Sequence, residues 1–260
     1  MKHVVMWSGG ITSWATARQV VAEHGKASTT LLFADTNVED EDLYAFNDQA
    51  STALGIPLTR VADEQERDPW QVFEDRRWLG NTRIAQCSHV LKQEPCRTWL
   101  TANANPAQTV VYVGIDWSEM HRIPGNREGW APWRVEYPLA SPPYRDKGQL
   151  LTEARAVGLP IPRLYRYGFA HNNCGGACVK GGQAQWLRLL KIFPERYARA
   201  EAAEKRMRAL LGKDVSILRD RHGSQTRPLT LTALRERAQA KPDQLDLFDE
   251  GGCGCFTEAA

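Results

Sequence analysis

Three short apolar runs, separated by longer segments, most constrain how this 260-residue chain can fold. They lie at residues 4–7, 30–34 and 110–113, and a segment of helical composition at 14–24 separates the first two. Strands that alternate with helices favour a parallel, doubly wound sheet with helices on both faces. The sequence therefore predicts a Rossmann-like α/β protein whose ligands lie at the carboxyl ends of the strands.

Composition places the chain among ordinary globular proteins. Apolar residues make up 42% and charged residues 25% of the sequence, which is typical of that class. No apolar run reaches the ~20 residues that a bilayer crossing needs. The polar turn at residues 8–10 interrupts the N-terminus too early for a secretory signal. We therefore expect a cytoplasmic protein without membrane contact, assembled as a homo-oligomer.

The turn after the first apolar run has the composition of a small anion cradle. It reads Ser8-Gly9-Gly10-Ile11-Thr12-Ser13 and leads directly into the helical segment. Glycines let backbone N–H groups approach an anion, and the helix N-terminus adds about half a positive charge. The hydroxyls of Ser8, Thr12 and Ser13 add further donors. We expect this turn to hold a phosphate or sulfate group, with a tight turn that binds nothing as the alternative.

Five stretches together resemble one known family. The turn resembles the PP-loop of the N-type ATP pyrophosphatases, which have an adenine nucleotide α-hydrolase-like fold. Within that superfamily the chain is most similar to the phosphoadenylyl-sulfate (PAPS) reductase-like proteins. The other matching stretches are FADTNVED at 33–40, CSHVLKQEPC at 87–96, GIDWSEMHR at 114–122 and LYRYGFAHNNCGGAC at 164–178.

The chain departs from the family pattern at three points. Asn37 replaces the glycine of an Asp-Thr-Gly segment, and Ser88 replaces the second cysteine of a Cys-Cys-x-x-x-Lys-x-x-Pro segment. One extra residue separates Cys174 from Cys178, where the family has Cys-x-x-Cys. The resemblance covers roughly the first 180 residues and leaves the C-terminal part unassigned.

The resemblance implies an adenine nucleotide in the crevice at the strand ends. The residues implied to bind it are Ser8, Gly9, Gly10, Thr12, Ser13, Asp35, Thr36, Lys92, Arg122 and Arg127. The two arginines are candidate anion clamps, because guanidinium groups match the geometry of phosphate oxygens. Two alternatives stay open: Asp35 could be the N-cap of a helix, and the arginines could form surface ion pairs.

Four cysteines in two of these stretches form a candidate metal site: Cys87, Cys96, Cys174 and Cys178. Four thiolates bind zinc or an iron–sulfur cluster, and the resemblance favours a 4Fe-4S cluster over zinc. Cys96 is expected to supply the ligand missing at Ser88. With three cysteines only, one iron would stay open to a sulfide or a substrate atom. A set of buried free thiols is the remaining alternative.

The last two cysteines, Cys253 and Cys255, lie in a glycine-rich tail. Sulfonucleotide reductases carry a nucleophilic cysteine in a mobile C-terminal tail, so the resemblance implies that these two residues are catalytic. The thiolate is the attacking species, and the second cysteine would resolve the product as a disulfide. A metal-binding tail, or a tail ligand for the cluster, is the alternative.

Charge is distributed unevenly along the chain. Residues 184–242 contain 14 Lys and Arg against 6 Asp and Glu, whereas residues 243–260 contain five acids and no bases. We therefore predict a PP-loop nucleotide-binding domain with the cysteine site at 1–183, a helical basic extension at 184–242 and a flexible tail at 243–260. The extension indicates nucleic acid as a partner, or else a solvated helical surface.

Two reactions are compatible with these motifs. In the first, PAPS or adenylyl sulfate binds, a tail cysteine takes up the sulfonate, and a thiol reductant such as thioredoxin releases sulfite. In the second, ATP with Mg²⁺ adenylates an oxygen of DNA or tRNA, and sulfur from a donor or cluster displaces AMP. The order of the motifs favours the reductase, whereas the Ser-Gly-Gly-x-Thr-Ser turn is closer to the ATP-cleaving pattern. The cysteines disfavour a third option, a non-catalytic nucleotide sensor.

Overall fold

Five parallel strands form the central sheet of the computed structural model, which describes residues 1–222 and 224–240. They are β1 (Lys2–Trp7), β2 (Thr29–Asp35), β3 (Leu58–Ala62), β4 (Thr109–Tyr112) and β5 (Arg134–Glu136). The order across the sheet is β3-β2-β1-β4-β5. β1 is central, with β2 on one side and β4 on the other. The predicted doubly wound α/β fold is confirmed.

Helices follow the strands and cover the sheet. They are α1 (Ile11–His24), α2 (Glu41–Leu54), α3 (Pro69–Arg76), α4 (Gln86–Ser88), α5 (Glu94–Asn103), α6 (Ile123–Gly129), α7 (Lys147–Ala156) and α8 (Arg163–Arg166). A π-helical turn at His89–Gln93 joins α4 to α5. Val5 and Trp7 belong to one apolar core, and Val4 and Met6 belong to another. Because both faces of β1 are covered, the strand is apolar from Val4 to Trp7, which explains why it could be recognised in the sequence.

The C-terminal part adds three helices and one antiparallel hairpin. They are α9 (Gln183–Ile192), α10 (Pro194–Leu211), β6 (Leu218–His222), β7 (Gln225–Leu229) and α11 (Leu231–Ala240). Trp186 and Tyr197 of this part share a core with Phe73 and Leu164. This core, which we call the second core, is separate from the two beside β1. It combines side chains from both sides of residue 183, so the basic extension packs directly on the preceding region.

No helix within the described ranges combines the length and the apolar character that a bilayer crossing requires.

Glu201 on α10 holds α11 against the second core. Its carboxylate accepts hydrogen bonds from the Arg235 guanidinium at 3.0 and 3.1 Å and from the Thr232 hydroxyl at 2.7 Å. The hydrogen bonds from Arg235 lower the pKa of Glu201 from an ordinary 4.5 to about 2, and they outweigh the opposite effect of burial.

We expect the stability that Glu201 provides to depend on pH. Because its pKa is lower in the folded state than in the unfolded state, its contribution is full above pH 4.5 and is lost as the pH falls toward 2. Glu201→Gln should lower the free energy of unfolding at neutral pH by about 1–3 kcal/mol. Urea unfolding at pH 7, 4 and 3 should show this difference shrinking with acidity. Glu236→Gln, at an exposed position on α11, is the control. A difference that is the same at all three pH values would contradict the assignment.

Candidate functional site

A cleft opens at the carboxyl ends of β1 and β4, where the strand order reverses. Such reversal points are the usual ligand sites of doubly wound sheets. The cleft contains about 570 Å³ of empty space, part of it open to solvent. The residues that give it polar or backbone surface are Ser8, Gly10, Thr12, Ser13, Gly114, Glu119, Arg122, Lys147, Tyr165, His171 and Asn173. The structure thus brings most of the predicted anion cradle to the expected edge of the sheet.

The two glycines of the turn serve different purposes. Gly9 has a φ of +73°, and a Cβ at this position would lie 2.6 Å from Cγ of Leu43. Its lack of a side chain is therefore required by packing and by backbone conformation. Gly10 has an ordinary extended backbone, and a Cβ there would lie 3.2 Å from the Tyr165 hydroxyl. Gly10, and not Gly9, lines the cleft.

The first turn of α1 directs hydrogen-bond donors into the cleft. The backbone N–H groups of Ile11, Thr12 and Ser13 have no acceptor within the helix, as at any helix N-terminus. The Ile11 N–H donates to the Tyr165 hydroxyl at 3.0 Å. The Ser13 hydroxyl donates to the carbonyl of Gly10 at 2.8 Å. Together with the helix dipole, this turn is arranged to receive an anion.

A second close approach shapes the other wall of the cleft. Gly114 follows β4, and a Cβ on it would lie 3.0–3.1 Å from backbone atoms of Thr12 and Ser13. Any larger residue would push the β4 loop away from the start of α1. Gly114 therefore allows the loop after β4 and the anion cradle to meet.

Cationic side chains converge on the same cleft. Arg122 lies in its lining and is paired with Glu119, with 2.5 Å between Nη1 and Oε1. Lys147, at the start of α7, donates from Nζ to the carbonyl of Ala170 at 2.9 Å. Arg127, the other predicted clamp, is exposed outside the cleft lining, with its guanidinium 5.8 Å from the centre of the Tyr137 ring. Only one of the two predicted arginines is therefore placed to contact a ligand there.

Asp35 is the last residue of β2 and lies outside the cleft lining. Its side chain is fully buried, and one oxygen accepts from the Asn37 backbone N–H and the Tyr44 hydroxyl, both at 2.8 Å. The other oxygen is 2.8 Å from the Arg60 guanidinium. The alternative interpretation of Asp35 as a helix N-cap is wrong, because Asp40 caps α2 instead. Contact between Asp35 and a nucleotide stays a prediction.

Thr36 and Lys92 meet at a buried carboxylate that the sequence did not single out. Glu39 has no exposed side-chain surface; it accepts from the Thr36 hydroxyl at 2.9 Å and lies 3.4 Å from Nζ of Lys92. It also accepts from the backbone N–H of Cys174. Thr36 and Lys92 are therefore part of the network that holds the cysteine loop, and neither is in the cleft lining.

Cys174 and Cys178 form a hydrogen-bonded thiol pair beside the cleft. The hydrogen bond with Cys178 raises the pKa of Cys174 well above its ordinary value, and burial and the Glu39 carboxylate raise it further. Cys174 has a φ of +54°, and Gly175 and Gly176 that follow also have positive φ. A non-glycine residue in this region is uncommon and marks a strained position. The Cys174 thiol is therefore held protonated on a constrained loop.

Cys96 does not join this pair. It is completely buried in the core that contains Met6 and Leu32, and burial raises the pKa of its thiol. Cys87 is half-buried and packs against the second core. Within the described part of the chain, no three His, Cys, Asp or Glu residues are grouped so that they could hold a metal ion. As placed here, the four cysteines are not brought together among the described residues, because Cys96 lies in the sheet core. The cluster or zinc site therefore stays a prediction.

The predicted catalytic residues Cys253 and Cys255 lie outside the described residues. Their role therefore remains a prediction.

One loop separates the cleft from a second cavity. His171 and Asn173 line the cleft, and the next residue, Cys174, lines a groove beside α10 that contains about 1390 Å³ of partly open space. We call this second cavity the thiol groove. The amide of Asn172 donates to the carbonyl of Gly9 at 3.1 Å and so ties this loop to the anion cradle.

Comparisons with known proteins add a structural likeness. No family model matches the sequence, and no curated protein is significantly similar to it. Among solved structures, a PAPS reductase from Candida auris in complex with phosphate resembles it with 14% identity and a TM-score of 0.46. The match covers 65% of this chain and 79% of that one. The assignment of the fold rests on the strand order described above.

Several cleft residues could not be assigned a role from the sequence. Lys147 and Tyr165 are more than 130 residues from the anion cradle along the chain, and no spacing rule links them to it. Tyr165 and His171 do lie within the LYRYGFAHNNCGGAC stretch. The resemblance of that stretch indicated a functional region, but it did not indicate which of its side chains point into the cleft. The position of Asn172 next to Gly9 carries no signal in the sequence.

Proposed function

We propose that this chain binds an adenine nucleotide in the cleft between β1 and β4, with a phosphate or sulfate group on the first turn of α1. One observation carries the proposal: the α1 turn and two cations, Arg122 and Lys147, converge at the point where the strand order reverses. Helix N-terminal donors and a guanidinium group together form a strong anion site. The resemblance of the turn to the PP-loop supports adenine as the base.

We further propose that the reaction is sulfur transfer of the sulfonucleotide reductase type. A cysteine thiolate, assigned to Cys253 or Cys255, attacks the sulfur of PAPS or adenylyl sulfate. The bond between sulfur and the phosphate oxygen breaks, the nucleotide leaves with its phosphate, and an S-sulfonate forms on the cysteine. The thiolate of the second cysteine attacks the cysteine sulfur of that S-sulfonate; the bond to the sulfonate breaks, sulfite leaves, and a disulfide forms. An external dithiol then reduces the disulfide.

The chain's own described residues would bind and orient the substrate in this reaction. The N–H groups of Thr12 and Ser13 and the Arg122 guanidinium would hold the negatively charged end. The Tyr165 hydroxyl, which accepts from the Ile11 N–H, would exchange that contact for one with the incoming anion. Donors fixed in this way stabilise charge without rearranging during the reaction.

ATP-dependent sulfur insertion into nucleic acid is the second candidate, and the Ser-Gly-Gly-x-Thr-Ser turn favours it. Product analysis separates the two. The full chain, with a dithiol reductant, should release sulfite from PAPS or adenylyl sulfate. It should not release pyrophosphate from ATP with Mg²⁺ and a DNA or tRNA acceptor. Pyrophosphate release without sulfite release would reject the reductase in favour of the second candidate. Absence of nucleotide binding would reject both.

Arg122→Ala should weaken nucleotide binding about 10- to 100-fold, because a charged hydrogen bond to the phosphate is lost from a partly buried cleft. Titration calorimetry with PAPS and with ATP measures the change. Arg127→Ala is the matched control, since it removes the same charge from a nearby exposed position that does not line the cleft. Equal losses in the two variants would show that net charge, and not the cleft, determines the affinity.

A further inference from the structure

A basic groove with an exposed tryptophan lies at the base of the β6–β7 hairpin. The hairpin, the segment after α3 and the end of α10 form its walls, and it contains about 830 Å³ of partly open space. It shares no lining residue with the nucleotide cleft. We call it the hairpin groove.

The hairpin groove has an excess of uncompensated positive charge. Four cationic side chains line it: Arg77, Lys213, Arg219 and Arg227. Its one carboxylate, Asp214, already accepts a hydrogen bond from Arg208 at 2.8 Å. The side chains of Lys213 and Arg219 have no hydrogen-bond or ion-pair partner among residues 1–222 and 224–240. Two full positive charges are therefore free to meet an anion.

The strand register extends this positive surface along the hairpin. Side chains alternate between faces along a strand, so Arg219 and Arg221 lie on one face of β6. Arg219 itself lines the hairpin groove, as do Pro228 and Thr226, which lie opposite these two arginines on β7. Both arginines are exposed. The row of cations therefore continues from the groove toward the hairpin turn.

Trp78 gives the same groove a flat aromatic surface. Its side chain is 42% exposed although tryptophan is usually buried. In the part of the chain that the structure describes, its indole makes no ring contact and no hydrogen bond. Aromatic side chains beside a row of cations are the combination with which proteins hold single-stranded nucleic acid: bases stack on the ring, and phosphates meet the cations.

We propose that the hairpin groove binds single-stranded nucleic acid, with a base stacked on Trp78 and phosphates contacting Lys213, Arg219 and Arg227. The exposed indole decides between this ligand and an acidic peptide, because a peptide of carboxylates offers no π-face for it. The proposal goes beyond the nucleotide cleft and does not depend on it, since binding is measured without nucleotide.

Fluorescence anisotropy of a labelled 12-nucleotide oligothymidylate with the full chain tests the proposal. We expect a micromolar Kd at about 50 mM salt that weakens steeply as salt is raised. The double variant Arg219→Ala/Arg227→Ala should bind at least about tenfold more weakly. Loss of two phosphate contacts should also reduce the slope of log K against log salt by about 1.4. Trp78→Ala should bind at least about fivefold more weakly, and Trp78→Phe should retain part of that affinity.

A matched pair of arginines elsewhere provides the control. Arg199 and Arg206 on α10 are exposed, and their side chains have no partner in the described part of the chain. Arg199→Ala/Arg206→Ala changes the net charge equally and should change the affinity less than twofold. An equal loss in this control would overturn the proposal. So would unchanged binding in Trp78→Ala, or equally tight binding of a labelled oligoglutamate. Circular dichroism checks that each variant is folded. If Trp78→Ala does not fold, Trp78→Phe still tests stacking.

Discussion

Gly10→Val is expected to weaken binding of the proposed adenine nucleotide by about 100-fold, which corresponds to about 2.7 kcal/mol. The backbone at Gly10 is extended, with φ −98° and ψ 164°, so valine can adopt it without strain. Its Cβ would lie 3.2 Å from the Tyr165 hydroxyl and 3.4 Å from Oγ of Ser8, and both of these residues line the cleft. The loss should therefore come from a blocked anion site and not from unfolding. Calorimetric titration with nucleotide, together with thermal unfolding of the same sample, measures both quantities.

Gly125→Val provides the comparison for this change. Gly125 lies in α6, and a Cβ there would meet no atom within 4 Å. This variant should bind nucleotide as the parent does. If Gly10→Val retained full affinity, the ligand would not lie on the first turn of α1. Gly9→Val is a poor test, because its clash with Leu43 and its positive φ would disturb the fold itself.

Glu204→Ala should strongly destabilise the C-terminal part of the chain. The Glu204 side chain on α10 is almost fully buried and accepts from two buried backbone N–H groups, those of Ile217 at 2.9 Å and Leu231 at 2.7 Å. One carboxylate thus fixes the segment entering β6 and the start of α11. Alanine leaves both N–H groups without an acceptor, at a cost of about 2–5 kcal/mol in the free energy of unfolding.

Urea unfolding of a graded series tests this expectation. Glu204→Gln keeps one side-chain oxygen, so it can accept from one N–H group only and should lie between the parent and Glu204→Ala. Glu195→Ala changes an exposed glutamate in the first turn of the same helix and should cost under about 0.5 kcal/mol. A Glu204→Ala variant as stable as the Glu195 control would show that the two N–H groups find other partners.

In the central sheet, the sequence predicted the three strands that are buried on both faces and missed the two at the edges; in the extension predicted to be helical, it missed the β6–β7 hairpin. β3 is half-exposed along its length and carries Arg60, so it has neither an apolar run nor a clear alternation. β5 has three residues, of which Arg134 and Glu136 are charged. Edge strands gain their stability from pairing with a neighbour, and that tertiary contribution leaves little trace in local composition.

The part of the candidate site that lies in one local turn could be predicted from the sequence. The part that depends on how distant segments pack together could not. Ser8 to Ser13 lie in the expected place because they directly connect β1 to α1, so the order of the elements along the chain already puts the turn at the carboxyl end of β1. Cys96 illustrates the opposite case. Its place in the CSHVLKQEPC stretch made it the candidate for the ligand missing at Ser88, but the π-helical turn and α5 direct Cys96 into the sheet core. Spacing gives a distance along the chain and does not give the direction of a side chain.

The proposed binding in the cleft and an oxidation of the thiol pair would take place at adjacent residues of the loop at 171–174. Asn173 faces the cleft and Cys174 faces the thiol groove, so one peptide bond joins a surface for a ligand to a thiol that can be oxidised. Linkage between such events is reciprocal. If oxidation of the thiol pair altered the affinity of a cleft ligand tenfold, that ligand would shift the reduction potential of the pair by about 30 mV. A ligand in the cleft would then change the fraction of the thiol pair that is oxidised, and oxidation would change the fraction of the cleft that is occupied.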